Sequence, residues 1–254
     1  MNEYLDAAVK AAREAGALIR ENFGQPLQVN AEEAHDIKLE LDVRSQELIT
    51  KLLLAKFPDH AILGEEGSAE NISSEFEWVV DPIDGTVNYF YGIPHFCISI
   101  ALRQKNEIIV GAIYDPIREE LWHAQRGGNA YLNGKPIEVS RSTHISQSIV
   151  SIGMSKTMAE IDVAYSIFKD LMTRARKCRL MGSAALDLAY VASGRMDAYV
   201  ERSVNWWDIA AGVLLVNCAG GTVAISPSTV QNGKLSLIAW NGKIDRDEIT
   251  KYYP

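Results

Sequence analysis

The residues best placed to do chemistry lie in WVVDPIDGTVNY, positions 78–89. An apolar run ends in Asp81, Pro82 stiffens the turn, and Asp84 follows just before Gly85 and Thr86. Two carboxylates on a rigid turn can share or flank hard cations, which take oxygen ligands from carboxylates, carbonyls and water. No His or Cys is interleaved, so the donor set favours Mg²⁺ over softer metals. Gly85 lets a ligand approach the backbone, and the amides of Gly85 and Thr86 would open a short helix able to receive phosphate oxygens. Asp-Pro and Asp-Gly are also ordinary turn signals, so this segment alone would equally suit a ligand-free loop. Two further segments weigh against that. ILGEEG sets Glu65 and Glu66 directly after a strand-like run, and WWDIAAG sets Asp208 at the start of an apolar helix. Carboxylates embedded in apolar sequence are costly to desolvate unless paired or metal-bound.

These groups need elements to hold them. Leu5, Val9, Ala12, Ile19 and Phe23 recur at helical spacing, as do Leu41, Leu48, Ile49, Leu52 and Leu53, and Pro58 stops the second helix. From Ala61 short apolar runs predict strands joined by hairpins too short for crossover helices, hence a largely antiparallel sheet. Asn133-Gly134 marks one of the turns. After Ser148 the order alternates. It predicts a strand at IVSIG, helices over about 157–174 and from Ser183 to about Ser193, a strand at DAYVE and a helix from about Trp207. Strands at GGTVAI and LSLIAW and a short terminal helix complete it. The charged runs EEAHDIKLE and RARKCR read as solvated surface. The expectation is one phosphate-handling domain over 1–254, with tightly packed halves at about 1–145 and 146–254.

The 254 residues are 47% apolar, enough for a full core. Net charge is −8, which argues against direct nucleic-acid binding and leaves metal cations to attract an anionic substrate. No run approaches the roughly 20 apolar residues of a membrane span, and the charged start MNEYLDAAVKAAREAG lacks a secretory apolar core. No membrane association and a cytoplasmic location are therefore expected. Cys97, Cys178 and Cys218 lack motif spacing and read as reduced thiols. None of the five histidines has the spacing of a metal helix, so packing or surface roles are expected for them.

GEE at 64–66, DPIDGT at 81–86 and WDIAAG with AGG across 207–221 stand in the order and spacing of the inositol monophosphatase family, which the chain resembles over nearly its whole length. LELD ending in Asp42 and GSAALDLAYVASGRMDAYVE from Gly182 to Glu201 match weaker family features. The resemblance implies an α+β fold, a layered αβαβα sandwich of the inositol monophosphatase and fructose-1,6-bisphosphatase type. It implies Glu65, Asp81 and the Ile83 carbonyl as ligands of a first Mg²⁺ bearing the attacking water. Asp81, Asp84 and Asp208 would hold a second ion near the leaving oxygen, and a third, weaker ion would sit by Glu65 through water. Mn²⁺ would substitute; Li⁺ and Ca²⁺ would inhibit. Asp42, Glu65 and Thr86 form the implied catalytic set, with Asp42 orienting Thr86. The amides of Gly85 and Thr86 would hold phosphate, while Gly182, Ser183, Ala184 and Glu201 line a polyol pocket that Asp208 also meets.

The implied reaction is Mg²⁺-dependent hydrolysis of a small polyol phosphate, foremost myo-inositol 1-phosphate, by a homodimer. Val87-Asn88-Tyr89 follows the threonine where nucleotide-directed relatives tend to carry lysine, which favours polyol esters. Fructose 1,6-bisphosphate, histidinol phosphate and nucleotide phosphates are the alternatives within the superfamily. A regulatory protein that binds RNA polymerase or a ribonucleoprotein is the alternative of another class. Two departures stand out. DIKLELD at 36–42 replaces a DLVTxxD-like stretch, losing a threonine and gaining Lys38, which puts the support of Asp42 in question. Arg202 follows Glu201 where an apolar residue is usual; it either binds a second phosphate or is simply exposed or ion-paired.

Overall fold

The computed structural model describes residues 3–26, 29–33, 36–69, 74–154, 158–229 and 231–251. In its first part, α1 (Glu3–Asn22) is followed by a hairpin of β1 (Val29–Glu33) and β2 (Asp36–Leu39), then α2 (Glu40–Lys56). The strands β3 (Ala61–Gly64), β4 (Gly67–Ala69) and β5 (Phe76–Asp84) lead to a single-turn helix α3 (Thr86–Phe90). A meander follows, of β6 (Cys97–Gln104), β7 (Glu107–Asp115), β8 (Glu120–Gln125), β9 (Ala130–Leu132) and β10 (Lys135–Ile137). The second part runs β11 (Ile149–Ile152), α4 (Met158–Arg174), β12 (Lys177–Arg179), α5 (Ala184–Ala192) and β13 (Ala198–Val204). It ends with α6 (Trp206–Cys218), β14 (Thr222–Pro227), β15 (Leu235–Trp240) and α7 (Arg246–Thr250).

The strands form an eight-stranded sheet in the order β10-β9-β8-β7-β6-β5-β3-β4, a five-stranded sheet in the order β12-β11-β13-β15-β14, and the β1–β2 hairpin. Side-chain alternation sorts the layers. Trp78 and Val80 of β5 join Ile98, Ile100 and Leu102 of β6 in a core shared with α1 and α2, while Val79, Cys97 and Ala101 face α5 and α6. In the five-stranded sheet Tyr199, Leu237 and Ala239 face that same central layer. Val150, Ile152, Ala198, Val200, Ile238 and Trp240 pack outward with Ile167 and Leu171 of α4 and Ile249 of α7. The order helix, sheet, helix, sheet, helix is the expected α+β sandwich.

Helix α1 buries a narrower stripe than its larger apolar residues predict. Ala8, Ala11, Ala12 and Ala15 are fully buried with Leu5 and Ile19, whereas Val9 and Phe23 are only partly covered. Small side chains let α1 lie close on α2 and β7, so methyl groups and backbone supply the contact. Gly111 does the same on the other face of the sheet, where a Cβ would stand 3.0 Å from the Ala211 carbonyl oxygen and 3.1 Å from its Cα. Backbone cannot yield as a side chain tip can. Gly111→Val is therefore expected to lower unfolding free energy by roughly 2–3 kcal/mol, read from the urea midpoint at unchanged slope.

Two charged runs read as surface also contribute strands. Within EEAHDIKLE, residues 36–39 pair antiparallel with 29–33, and Leu39 is buried. RARKCR contributes β12, parallel to β11, with Cys178 buried between exposed Lys177 and Arg179. In RARKCR the charged side chains stay exposed while the backbone pairs and Cys178 turns inward. His35 and the side chain of Lys38 lie outside the described residues.

Candidate functional site

Helix starts and strand ends converge where the eight-stranded sheet meets α5 and α6. β3 and β5 are parallel neighbours, with Gly64 opposite Val80, so both strands deliver their following carboxylates to the same end. The Glu65 amide donates to the Val80 carbonyl at 3.2 Å, which locks that alignment. Pairing of β5 with β6 slips between Asp81 and Asp84, where Pro82 has no N–H to contribute. The slip turns Asp84 toward α5 while Asp81 stays buried, its Oδ1 accepting from the Ile83 amide at 3.1 Å.

Asp42 approaches from α2 at the third helical position, where its Oδ2 accepts from the Leu39 amide at 2.8 Å. One oxygen of Asp42 thus has backbone support that does not depend on the lost threonine. Its other oxygen, Oδ1, is buried with no hydrogen-bond partner. Asp208 occupies the equivalent position on α6, its Oδ2 accepting from the Asn205 amide at 2.8 Å. Both carboxylates also serve helix starts, where negative charge is favoured.

Burial and mutual proximity then act together on acidity. Asp81 is pushed well above the ordinary carboxyl range by burial first, then by Glu65, Asp84, Asp208 and Asp42. Asp208 is raised well above it by burial, Asp84 and Glu65. Asp42 is pushed up to about 8 by burial, with Glu65 and Glu66 adding and the Leu39 amide opposing. Asp84 is raised by burial, against hydrogen bonds from Ser183, Ala185, Ala184 and Cys97. Asp42, Glu65, Asp84 and Asp208 all lie within electrostatic reach of Asp81. Among the described residues, no group of three or more His, Cys, Asp or Glu side chains is arranged as it stands to hold an ion. Asp81, Asp84 and Asp208 each accept N–H or O–H hydrogen bonds. The donor chemistry still fits a hard cation, being all oxygen, buried, mutually repelling and flanked by the orphaned Oδ1 of Asp42.

Asp84 has the most elaborate setting. The Ser183 hydroxyl and the Ala185 amide (2.8 Å) donate to Oδ2, and the Ala184 amide donates to Oδ1 at 3.3 Å. Ser183 also caps α5 by accepting from the Leu186 amide at 3.3 Å. Ser183 and Ala184, expected to line a polyol pocket, thus meet Asp84 directly. Gly85 starts α3 at φ +99°, a conformation suited to glycine. A Cβ there would meet the carbonyls of His95 at 3.0 Å and Gly182 at 3.3 Å. The Thr86 hydroxyl donates to the Ile83 carbonyl at 2.9 Å and also lies within reach of Asp42, whose pKa it lowers by side-chain hydrogen bonding. Glu201 sits on β13, accepting from the Tyr199 hydroxyl. Arg202 follows at a register irregularity between Glu201 and Val204, and its Nη2 donates to Thr229 at 3.1 Å.

Several contributors were missed in the sequence. Gln46 accepts from the Glu66 amide at 2.9 Å and donates to the Gly67 carbonyl at 2.8 Å, pinning the turn that carries Glu65. Ser45 donates to the Pro82 carbonyl at 3.3 Å. Asn88 donates to the carbonyls of His95 and Met181, both at 2.9 Å, joining the Gly85 and Gly182 turns. The available signal was polar residues on the buried stripe of α2, at one helical turn from Asp42. The described histidines take packing roles where buried: His60 stacks on Phe57 and Phe76, and His123 on Tyr131.

The family model for the inositol monophosphatase family matches residues 1–245. The chain belongs to that family. It is 39% identical over 235 residues to an inositol monophosphatase of Dictyostelium discoideum, covering 90% of this chain and 86% of that one. It is 40% identical over 227 residues to the Nus factor SuhB of Pasteurella multocida, covering 88% and 85%. The solved structure of an inositol monophosphatase from Anabaena (Nostoc) sp. PCC 7120 superposes with a TM-score of 0.84 at 35% identity, over 98% of this chain and 94% of that one. Membership agrees with the sandwich and with the order of the three acidic segments along this chain.

Proposed function

We propose that this family member is a single phosphatase domain that hydrolyses the phosphate monoester of a small polyol, foremost myo-inositol 1-phosphate, with Mg²⁺. What supports the reading is that Glu65, Asp84 and Asp208, from three separate stretches of chain, act on Asp81 or on one another, and that burial and this repulsion together raise the proton affinity of Asp81 and Asp208. Such a cluster repels a phosphate dianion unless cations intervene. Glu65, Asp81, Asp84, Asp208 and the Ile83 carbonyl are the oxygens that would hold two to three ions. Bound divalent cations supply charge stabilisation for the entering and departing oxygens of a phosphoryl transfer.

The chain's own groups do the rest. The amides of Gly85 and Thr86, at the glycine-started turn of α3, bind and orient the phosphate. Thr86 has two acceptors in reach, the Ile83 carbonyl and Asp42. When it donates to Asp42, its lone pairs face a water and orient it for attack. Glu201 accepts hydrogen bonds from substrate hydroxyls, and Gly182, at φ +79°, leaves room beside Asn88 that a side chain would fill.

The test is phosphate release measured with malachite green, with and without Mg²⁺, over a panel of esters ranked by kcat/KM. Inositol 1-phosphate is expected to lead, ahead of fructose 1,6-bisphosphate, histidinol phosphate and nucleotide phosphates. No release from any ester would sink the proposal. The protein is further read as a cytoplasmic homodimer; sedimentation of the purified chain at the monomer mass would refute the dimer. A second reading, a regulatory role through RNA polymerase or a ribonucleoprotein, draws support from the relative named Nus factor SuhB. The two roles are compatible on one fold. At −8 the chain is suited to a protein partner rather than to direct nucleic-acid contact.

A further inference from the structure

Glu201 is held by surroundings that its sequence context does not announce. On the inner face of the five-stranded sheet, Ser151 of β11 stands directly opposite Tyr199 of β13. Two residues further along each strand on that face come Gly153 and Glu201. Gly153 continues the pairing through its amide, which donates to the Val200 carbonyl at 2.9 Å. A Cβ at Gly153 would overlap the Glu201 carboxyl and approach the Tyr199 hydroxyl to 2.7 Å. The missing side chain is therefore the space in which the Glu201–Tyr199 hydrogen bond is made. Tyr199 is 1% exposed, so its ring cannot swing to another rotamer without displacing the central core. Burial and the nearby Glu201 and Asp187 charges push its phenol far up, which keeps it a donor. Beneath it Ser151 donates to Asp187 at 2.8 Å, and Asp187, 2% exposed, leaves its other oxygen without a partner.

We infer that Tyr199, given room by Gly153, is a positioning residue that fixes the orientation of the Glu201 carboxylate and so sets the preference for esters bearing hydroxyl groups. A glutamate on a strand otherwise has three rotatable bonds to immobilise when a ligand arrives. The phenol holds one oxygen in advance, which presents the carboxylate in one orientation and lets hydroxyl position, rather than mere polarity, decide binding. This inference rests on the proposed role of Glu201 as the polyol contact.

The experiment compares myo-inositol 1-phosphate with 4-nitrophenyl phosphate, which carries no alcohol hydroxyl, in Mg²⁺. The proteins are the intact chain, Tyr199→Phe, Gly153→Ala, Glu201→Gln and the Tyr199→Phe/Glu201→Gln double variant. Tyr199→Phe is expected to raise KM for the inositol ester about tenfold more than KM for the nitrophenyl ester, with kcat shifting less than about threefold. Gly153→Ala is expected to do the same by moving the end of Glu201. Its backbone can take a Cβ, since Gly153 is not among the positive-φ glycines. In the double variant the tyrosine change should add little to the glutamine change. A parallel fall for both esters, as a purely structural role would give, overturns the inference, and so does additivity in the double variant. If the unaltered chain releases phosphate but the variants show no split, the inference fails alone. If the unaltered chain releases none, the functional reading fails and takes the inference with it.

Discussion

Asp84→Asn is expected to lower kcat on the order of 10³-fold in saturating Mg²⁺, because it removes one full negative charge from the proposed ion-binding cluster at nearly constant shape. Aspartate and asparagine have nearly the same shape, which favours an intact fold. The structure refines that expectation, since Asp84 accepts from Ser183, Ala184 and Ala185 at the start of α5. An asparagine can keep one carbonyl oxygen on Ser183 and Ala185, but its amide then faces the Ala184 amide, donor against donor. Against that loss, one charge disappears from a buried, self-repelling group. The two effects oppose, so ion-free melting temperature should move by only a few degrees, while the rise that Mg²⁺ produces should shrink markedly. Calorimetric melting with and without Mg²⁺, alongside phosphate release, checks both. A variant retaining most of its turnover would contradict the assignment of Asp84.

The second large effect concerns removal of divalent ions. Chelated protein is expected to bind inositol 1-phosphate too weakly for titration calorimetry, because the acidic cluster then faces the phosphate unscreened. Undiminished affinity would refute this. Stability should follow pH in a direction set by the raised carboxyls. Asp42, at about 8 when folded against an ordinary 3.8, holds a proton across that window which the unfolded chain has released. Folding is then favoured most fully near and below the ordinary value and loses that contribution as pH rises toward 8. Asp81 and Asp208 act in the same direction. Ion-free melting temperature should therefore fall between pH 5.5 and pH 8. Mg²⁺ at about a hundredfold excess over Kd should restore roughly 5–10 °C at pH 8 and less at pH 5.5. A melting temperature that climbs with pH in chelator would contradict this account.

Much of this was legible in the sequence where two periodicities and turn chemistry agree. The apolar runs from Ala61 onward, the proline after α2 and the Asn133-Gly134 turn all specify local backbone that tertiary packing then uses. The acidic segments could be located because each interrupts an apolar run. What resisted reading depends on contacts between distant stretches. Ala8 and Ala15 are weakly hydrophobic, yet they become core because α1 lies so near its neighbours. Residues 36–39 look like surface until pairing with 29–33 is known. Ser183 reads as a pocket hydroxyl, yet it is Asp84, 99 positions away, that takes its hydrogen. No local pattern encodes the Gly153 gap that Glu201 fills.

The hydrogen bonds that tie the end of β5 to the beginning of α5 also bear on how the molecule is made. A ribosome delivers Asp84 about a hundred residues before Ala185 can reach it, and Asp208 later still. Until then Asp84 lacks the Ser183 hydroxyl and the Ala184 and Ala185 amides, and the proposed ion site lacks Asp208. Nascent intermediates should therefore be protected poorly by Mg²⁺, and the cation should speed only the final docking of the later strands and helices.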